Sequence, residues 1–329
     1  MKTHMGTYMA SEGADRQNRV IWAWFPVTFL TAFFCCVLWG SASPAIKIAY
    51  SLFRIVPEDT ASRIMLAGAR FMIAGVMTIG FGSVLARKPL APKRASWQKI
   101  AVLSLFQTVG QYYFFFMALA NISGVRGSII NASGNFLAIL FAAYIFRFEK
   151  MTVRKILGCL LGFAGIIMIL GGAQAFLEGG SVSPAGEGAM LTAALFYAAS
   201  GCLIKVFSRD ENPVTLSGYQ FLIGGAVLFA IGSAMGGSLV FYSAICVWNL
   251  LYMGFISAGA YTLWGVLLKY NPVSRVSILG FINPVMGVLL SALFLGEGRE
   301  AFSLRGLLSL LLVSAGIIIV NTSGEKDRR

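Results

Sequence analysis

The chain has 329 residues, of which 57% are hydrophobic and only 12% charged. An ordinary globular domain carries about a quarter charged residues. This composition therefore excludes a water-facing surface over most of the molecule, and once ~20-residue spans are counted no soluble catalytic domain fits. The formal charge of +13 would suggest nucleic acid in a soluble protein, but among apolar spans it first reports orientation.

A polar tail, residues 1–25, holds His4 and offers Met5 and Met9 as alternative starts. Apolar stretches between charged or turn clusters then predict ten helices. The first, 26–46, carries Trp39, Ser43 and Pro44, and the second, 64–85, carries Arg70. Gln107 and Gln111 lie one turn apart in the third, 97–120, as do Asn131 and Asn135 in the fourth, 124–146. A glycine-rich fifth span, 154–173, leads through a connection, 174–186, to the sixth, 187–207, with Tyr197 and Ser200. Next come 214–235, then 247–269 with Tyr261 and Trp264, then 273–295 with Asn283 and Pro284. The tenth span, 303–321, is again glycine-rich, and a short tail, 322–329, follows. Continuous apolar runs favour helices over a barrel, because each helix satisfies its own backbone in hydrocarbon. The fold class is all-α and polytopic.

Charge sorts the connections. Nineteen of the 26 Lys and Arg fall in the tails and the second, fourth, sixth and eighth connections or their helix ends. The positive-inside rule then places both termini in the cytoplasm, which requires an even number of spans. A bacterial plasma membrane is the expected setting.

The spans also repeat. At an offset of 148, Val125, Ile130, Asn135, Phe146 and Glu149 match Val273, Ile278, Asn283, Phe294 and Glu297. Gly165-Ile166-Ile167 matches Gly316-Ile317-Ile318, Tyr113 matches Tyr261, and Gly68-Ala69-Arg70-Phe71 faces Gly218-Tyr219-Gln220-Phe221. Halves of five spans each, 26–173 and 187–321, must enter the membrane from opposite sides. Such an inverted repeat is typical of molecules whose halves rock around a midplane site.

These residues resemble the drug/metabolite transporter superfamily, specifically its ten-helix EamA-like branch. Trp39-Gly40-Ser41, Arg70-Phe71, Asn283-Pro284-Val285 and Phe294-Leu295-Gly296-Glu297 carry the likeness. It implies two five-helix halves and secondary transport. The family pattern also implies a proline in the fourth span, where Asn135-Phe136 stands instead.

Polar groups at the midplane require partners or a purpose. Trp39, Ser43, Gln107, Gln111, Asn131, Asn135, Tyr197, Ser200, Tyr261, Trp264 and Asn283 would line an amide, hydroxyl and aromatic cavity. It suits a small zwitterionic or amphipathic metabolite, an amino acid or relative, moving outward by alternating access. Singly, each amide or hydroxyl could equally be interhelical glue. The resemblance makes Arg70 an orienting residue, and Glu149 and Glu297 read as helix-end or gating contacts beside the kink at Pro284.

The acids all sit in tails, connections or span ends, so no proton relay is evident. There is no phosphate-binding loop for ATP. The five cysteines lie in apolar stretches without ligand spacing, so no metal or cofactor is expected. An intramembrane enzyme would need a nucleophile with its base, or paired acids; a membrane scaffold would not need converging polar faces. The expected partners are a small solute and the bilayer, not nucleic acid. The glycine-rich spans permit close contact within one chain or between copies in a homo-oligomer.

Overall fold

The computed structural model describes residues 21–147, 150–170, 183–271, 276, 279–280 and 282–322, apart from the side chains at 265, 268, 269 and 320–322. Glu149, most of both tails and of the 174–186 connection, and much of the start of the ninth span lie outside them. Ten helical spans are present among the described residues. They are α1 Phe25–Leu52, α2 Thr60–Ala86, α3 Arg94–Asn121, α4 Gly124–Ile145 and α5 Val153–Ile169, then α6 Pro184–Phe207, α7 Pro213–Ala234, α8 Ala244–Tyr270, α9 Ile282–Leu295 and α10 Leu304–Thr322. Seven of these helices are long and apolar enough to cross a bilayer. The face where α1 begins is called the near face below, and the opposite one the far face.

Helix ends follow local chemistry. Asp59 accepts the Ser62 N–H at 2.9 Å and starts α2, and Ser123 accepts the Arg126 N–H at 3.0 Å and starts α4. Arg87 and Arg147 close α2 and α4 in the left-handed conformation, and Gly236 and Gly296 do the same after α7 and α9. The terminators therefore repeat along with the helices they end.

Two breaks bear on the interior. Pro44 lacks the N–H that would bond Gly40, and α1 turns at Ser41 before running on to Leu52, beyond the expected limit of 46. In α4 the helix breaks at Ala132 without proline: the Asn135 N–H bonds the Ala132 carbonyl at 3.1 Å, tightening one turn. The fourth span thus departs from a straight helix although the expected proline is missing.

Packing has the symmetry of the repeat. Helix α1 lies against α8 and α9, as α6 lies against α3 and α4; α2 meets α8, as α7 meets α3. The pairs α2–α7, α4–α9 and α5–α10 each join a helix to its own mate. Exchanging the halves maps this set onto itself. The result is two facing groups, α1–α8–α9 and α3–α4–α6, braced by α2 and α7.

The brace is close. Gly68, Gly75 and Gly82 recur every seventh residue on α2, and Gly218, Gly225 and Gly232 do so on α7. A Cβ added at Gly225 would stand 2.6 Å from the Met72 amide nitrogen, and one at Gly232 2.5 Å from that of Met65. A Cβ at Gly75 would meet the Leu222 nitrogen at 2.6 Å. Backbone therefore touches backbone along antiparallel helices, and a seven-residue period keeps the contact in line.

Candidate functional site

Beside this seam, α2 and α7 each send one polar side chain toward the facing groups, from matching positions. Arg70 on α2 is 1% exposed; its Nε donates to the Met253 carbonyl and its Nη2 to the Ser257 hydroxyl of α8, both at 3.1 Å. On α7, Gln220 accepts from the Thr108 hydroxyl of α3 at 2.5 Å through its Oε1, and its backbone carbonyl accepts from Ser104 at 3.2 Å. Partners four residues apart on the receiving helix recur in both halves. No carboxylate pairs with Arg70 among the described residues. Instead Phe71, Tyr112 and Phe116 surround the guanidinium, with ring centres at 4.9, 5.5 and 5.8 Å.

The network reaches the facing helices through Gln107. Its Oε1 accepts from Gln220 at 3.1 Å, and its Nε2 donates to the Tyr261 hydroxyl at 3.3 Å. Gln107 lies in a π-helical stretch of α3, Ser104–Gly110, which breaks the regular side-chain register where α3 meets α7. Tyr261 stacks edge-on with Trp39 at 5.6 Å, and Trp39 with Trp264 at 5.0 Å. Gln107, Tyr261, Trp39 and Trp264 thus come together.

Tyr197 is 37% exposed. It nevertheless lies within electrostatic reach of Tyr112, Tyr261 and Cys36, and its ring covers Gly134 at the break in α4. Asn131, Asn135 and Asn283 are half-buried and their amides have no hydrogen-bond partner among the described residues. The Cys36 thiol of α1 donates to the Leu279 carbonyl, ahead of α9, at 3.6 Å.

Other expected lining residues sit differently. Ser200 is fully buried and donates to the Tyr197 carbonyl at 2.9 Å. Ser43 is 5% exposed beside Pro44. Gln111 is buried with its Oε1 unpartnered. Pro284 is buried near the start of described α9, where Gly287 packs on the Ser128 side chain.

Each end of the bundle carries ionic contacts. On the far face Glu297, which ends α9, accepts the Gly124 and Val125 N–H groups of α4 at 3.0 and 2.9 Å. Arg126 bonds Glu187 of α6 at 2.5 Å and approaches Glu300 at 3.6 Å. This latch ties the two facing groups together, with Glu297 as a carboxylate on the positive end of α4. The second segment of α4, Ser133–Leu140, packs on α6 and α5 instead of extending that contact. On the near face Lys99 holds Asp210 at 2.5 Å. That hydrogen bond, and then the charge of Lys99, keeps the Asp210 carboxyl below its ordinary range. Burial alone would raise Glu211, but N–H groups of Lys93 and Asn212 and the Ser96 hydroxyl outweigh it and hold it low.

Sequence reasoning missed Gln220, Tyr112 and Arg126. The repeat had set Gln220 opposite Arg70, so a signal existed for it; Tyr112 and Arg126 gain their partners only in three dimensions.

The EamA-like transporter family model matches residues 27–171 and 184–322. The chain belongs to this family. It is an integral membrane protein, and its relatives are named as transporters. It is 25% identical over 308 residues to a "Probable amino-acid metabolite efflux pump" of Salmonella typhimurium, covering 89% of this chain and 94% of the relative. An Escherichia coli protein with the same description is 27% identical over 308 residues, with the same coverages. A WAT1-related chloroplastic protein of Arabidopsis thaliana is 28% identical over 290 residues, 86% of this chain, which spans 65% of that relative's length. A solved crystal structure shares the fold with a TM-score of 0.63 at 21% identity, covering 92% of this chain and 99% of that one.

Proposed function

We propose that this EamA-family protein exports a small amphipathic metabolite, an amino acid or a close relative, by alternating access around the space between α1–α8–α9 and α3–α4–α6. The observation that carries the reading is that Asn131, Asn135 and Asn283 are half-buried, with Tyr197 covering Gly134 next to Asn135, in a bundle that also gathers Trp39, Tyr261 and Trp264 into one aromatic cluster. Unpaired amides bond a solute's polar end, and rings pack its apolar body. The relatives described as amino-acid metabolite efflux pumps support the solute class. The contacts of Glu297 support a reading in which the described conformation is closed at the far face, with Glu149, its mate in the sequence repeat, in the matching role at the other. The distribution of cations supports a cytoplasmic near face, and the bacterial efflux-pump relatives support a bacterial plasma membrane as the setting.

Counterflow in proteoliposomes, run against a panel of amino acids and their amphipathic derivatives, tests the reading. Asn135→Ala and Gln111→Ala are expected to lower flux about tenfold or to change the preferred solute, in protein that still inserts and purifies as a folded species; a lost hydrogen bond to solute is worth about this much. No movement of any solute in the wild-type protein, or unchanged kinetics in both variants, would overturn it.

A further inference from the structure

Between the far ends of α1, α3 and α9 lies a cavity of about 540 Å³. That is the size of a small-metabolite site. Its walls include the apolar side chains of Ile48, Ile55 and Leu119, and three charged residues, Lys47, Arg63 and Glu297. Tyr50 contributes to its wall, donates to the Phe116 carbonyl at 2.7 Å, and lies within electrostatic reach of both Arg63 and Arg70. The cavity therefore sits one aromatic layer beyond the Arg70 cage.

Its charge is unbalanced. Arg63 is 2% exposed, and no carboxylate lies within ion-pair distance among the described residues. Its nitrogens donate to neutral acceptors alone: the Asp59 carbonyl at 3.3 Å, the Thr60 hydroxyl at 3.0 Å and the Pro57 carbonyl. Nη1 has no hydrogen-bond partner among the described residues. Lys47 approaches Glu297 only to 3.9 Å, and that carboxylate already accepts two backbone N–H groups. Among the residues that line the cavity, two cations face one engaged anion, with Glu300 outside the wall also attracting Lys47; the buried Arg63 guanidinium is costly until an anion joins it.

We propose that this cavity is a second solute subsite, which takes the carboxylate of a small organic acid or amino acid against Arg63 and Lys47 while the apolar wall holds the remainder. Its role as a station on the transport path rests on the function proposed above; the binding chemistry does not.

The test needs no knowledge of the natural solute. Ser51 is exposed and lines the cavity, and the native cysteines are buried. In purified Ser51→Cys protein, rates of labelling are measured with methanethiosulfonates carrying a sulfonate or a trimethylammonium group. The sulfonate-to-ammonium rate ratio is expected to exceed that of free 2-mercaptoethanol by about five- to tenfold, as a focused positive potential requires. It falls toward the free-thiol value in Lys47→Gln and in Arg63→Gln; the partly exposed Lys47 keeps the test open should the buried arginine be needed for folding. Millimolar 3-phenylpropanoate slows labelling, and 3-phenylpropanol does not. A ratio equal to that of free thiol, indifference to Lys47→Gln, or equal protection by acid and alcohol would each overturn the subsite. Charge-selective labelling in a protein that fails the counterflow assay would instead overturn the transport reading and leave the subsite standing.

Discussion

Gln220 and Gln107 join three helices through two amides: Gln220 accepts from Thr108 and donates to Gln107, which in turn donates to the Tyr261 hydroxyl. Gln220→Leu leaves the buried Gln107 Oε1 without its donor and the Thr108 hydroxyl with only the long bond to the Gln220 backbone carbonyl, at 3.4 Å. The expected loss is about 1–3 kcal/mol, because an orphaned buried polar group forfeits its hydration. Adding Thr108→Val is expected to recover part of that loss, so the double-variant cycle should show a coupling of at least ~0.5 kcal/mol by thermal unfolding in detergent. Strict additivity would mean that the two side chains do not work together. At this scale the sequence was informative about residue type and blind to partnership. Gln107, Trp39, Tyr261 and Trp264 stood out because amides and amphipathic rings in an apolar run ask for a reason. That Arg70 is held by the Met253 carbonyl and ringed by Phe71, Tyr112 and Phe116 could not be read, since a backbone carbonyl and a ring face carry no signature in the chain. Ser200 shows the reverse: a midplane hydroxyl that bonds its own helix.

Among the elements, α2 and α7 are distinguished by how near they come. Gly225→Ala is expected to destabilise the protein by about 1–3 kcal/mol, the usual range for overpacking, because a Cβ there meets backbone that cannot rotate away. Gly80→Ala on the same seam helix meets nothing within 4 Å and should be neutral or slightly stabilising, by up to about 1 kcal/mol from helix propensity. Equal effects of the two would show that helix propensity, not contact, sets the response. Span positions were legible because hydrocarbon tolerates so few alternatives to a continuous apolar helix. The breaks were less so. Pro44 announces the turn at Ser41, whereas the turn at Ala132 arises beside Ser133-Gly134 under the Tyr197 ring, from packing that no local residue declares.

For the molecule as a whole, the alternating-access proposal makes the far-face contacts of Glu297 a gate. Glu297→Gln keeps one acceptor but points an amide N–H at an α4 N–H, and removes a negative charge from the positive end of that helix. Spin labels at Asn121 and Arg299, exposed positions on opposite groups at the far face, are expected to show a distance distribution shifted to longer values in Glu297→Gln. An unchanged distribution would mean that Glu297 merely caps α4. The inverted architecture itself was readable from repeated residues such as Asn135 and Asn283, because duplication writes the same constraints twice. The latch was readable only in part: Glu297 was marked by its place at the end of a repeat, while Arg126, Glu187 and Glu300 meet only when α4, α6 and α9 assemble.

The glycine seam has an electrical consequence. A carrier embedded between two compartments must not let protons or ions slip through while its solute gates move. Where α2 and α7 touch through bare backbone, no file of water fits between them, so this seam is expected to act as insulation along the brace. Its failure would first be seen as conductance: a bulky residue at Gly225 should make vesicles leak protons before the protein loses its shape.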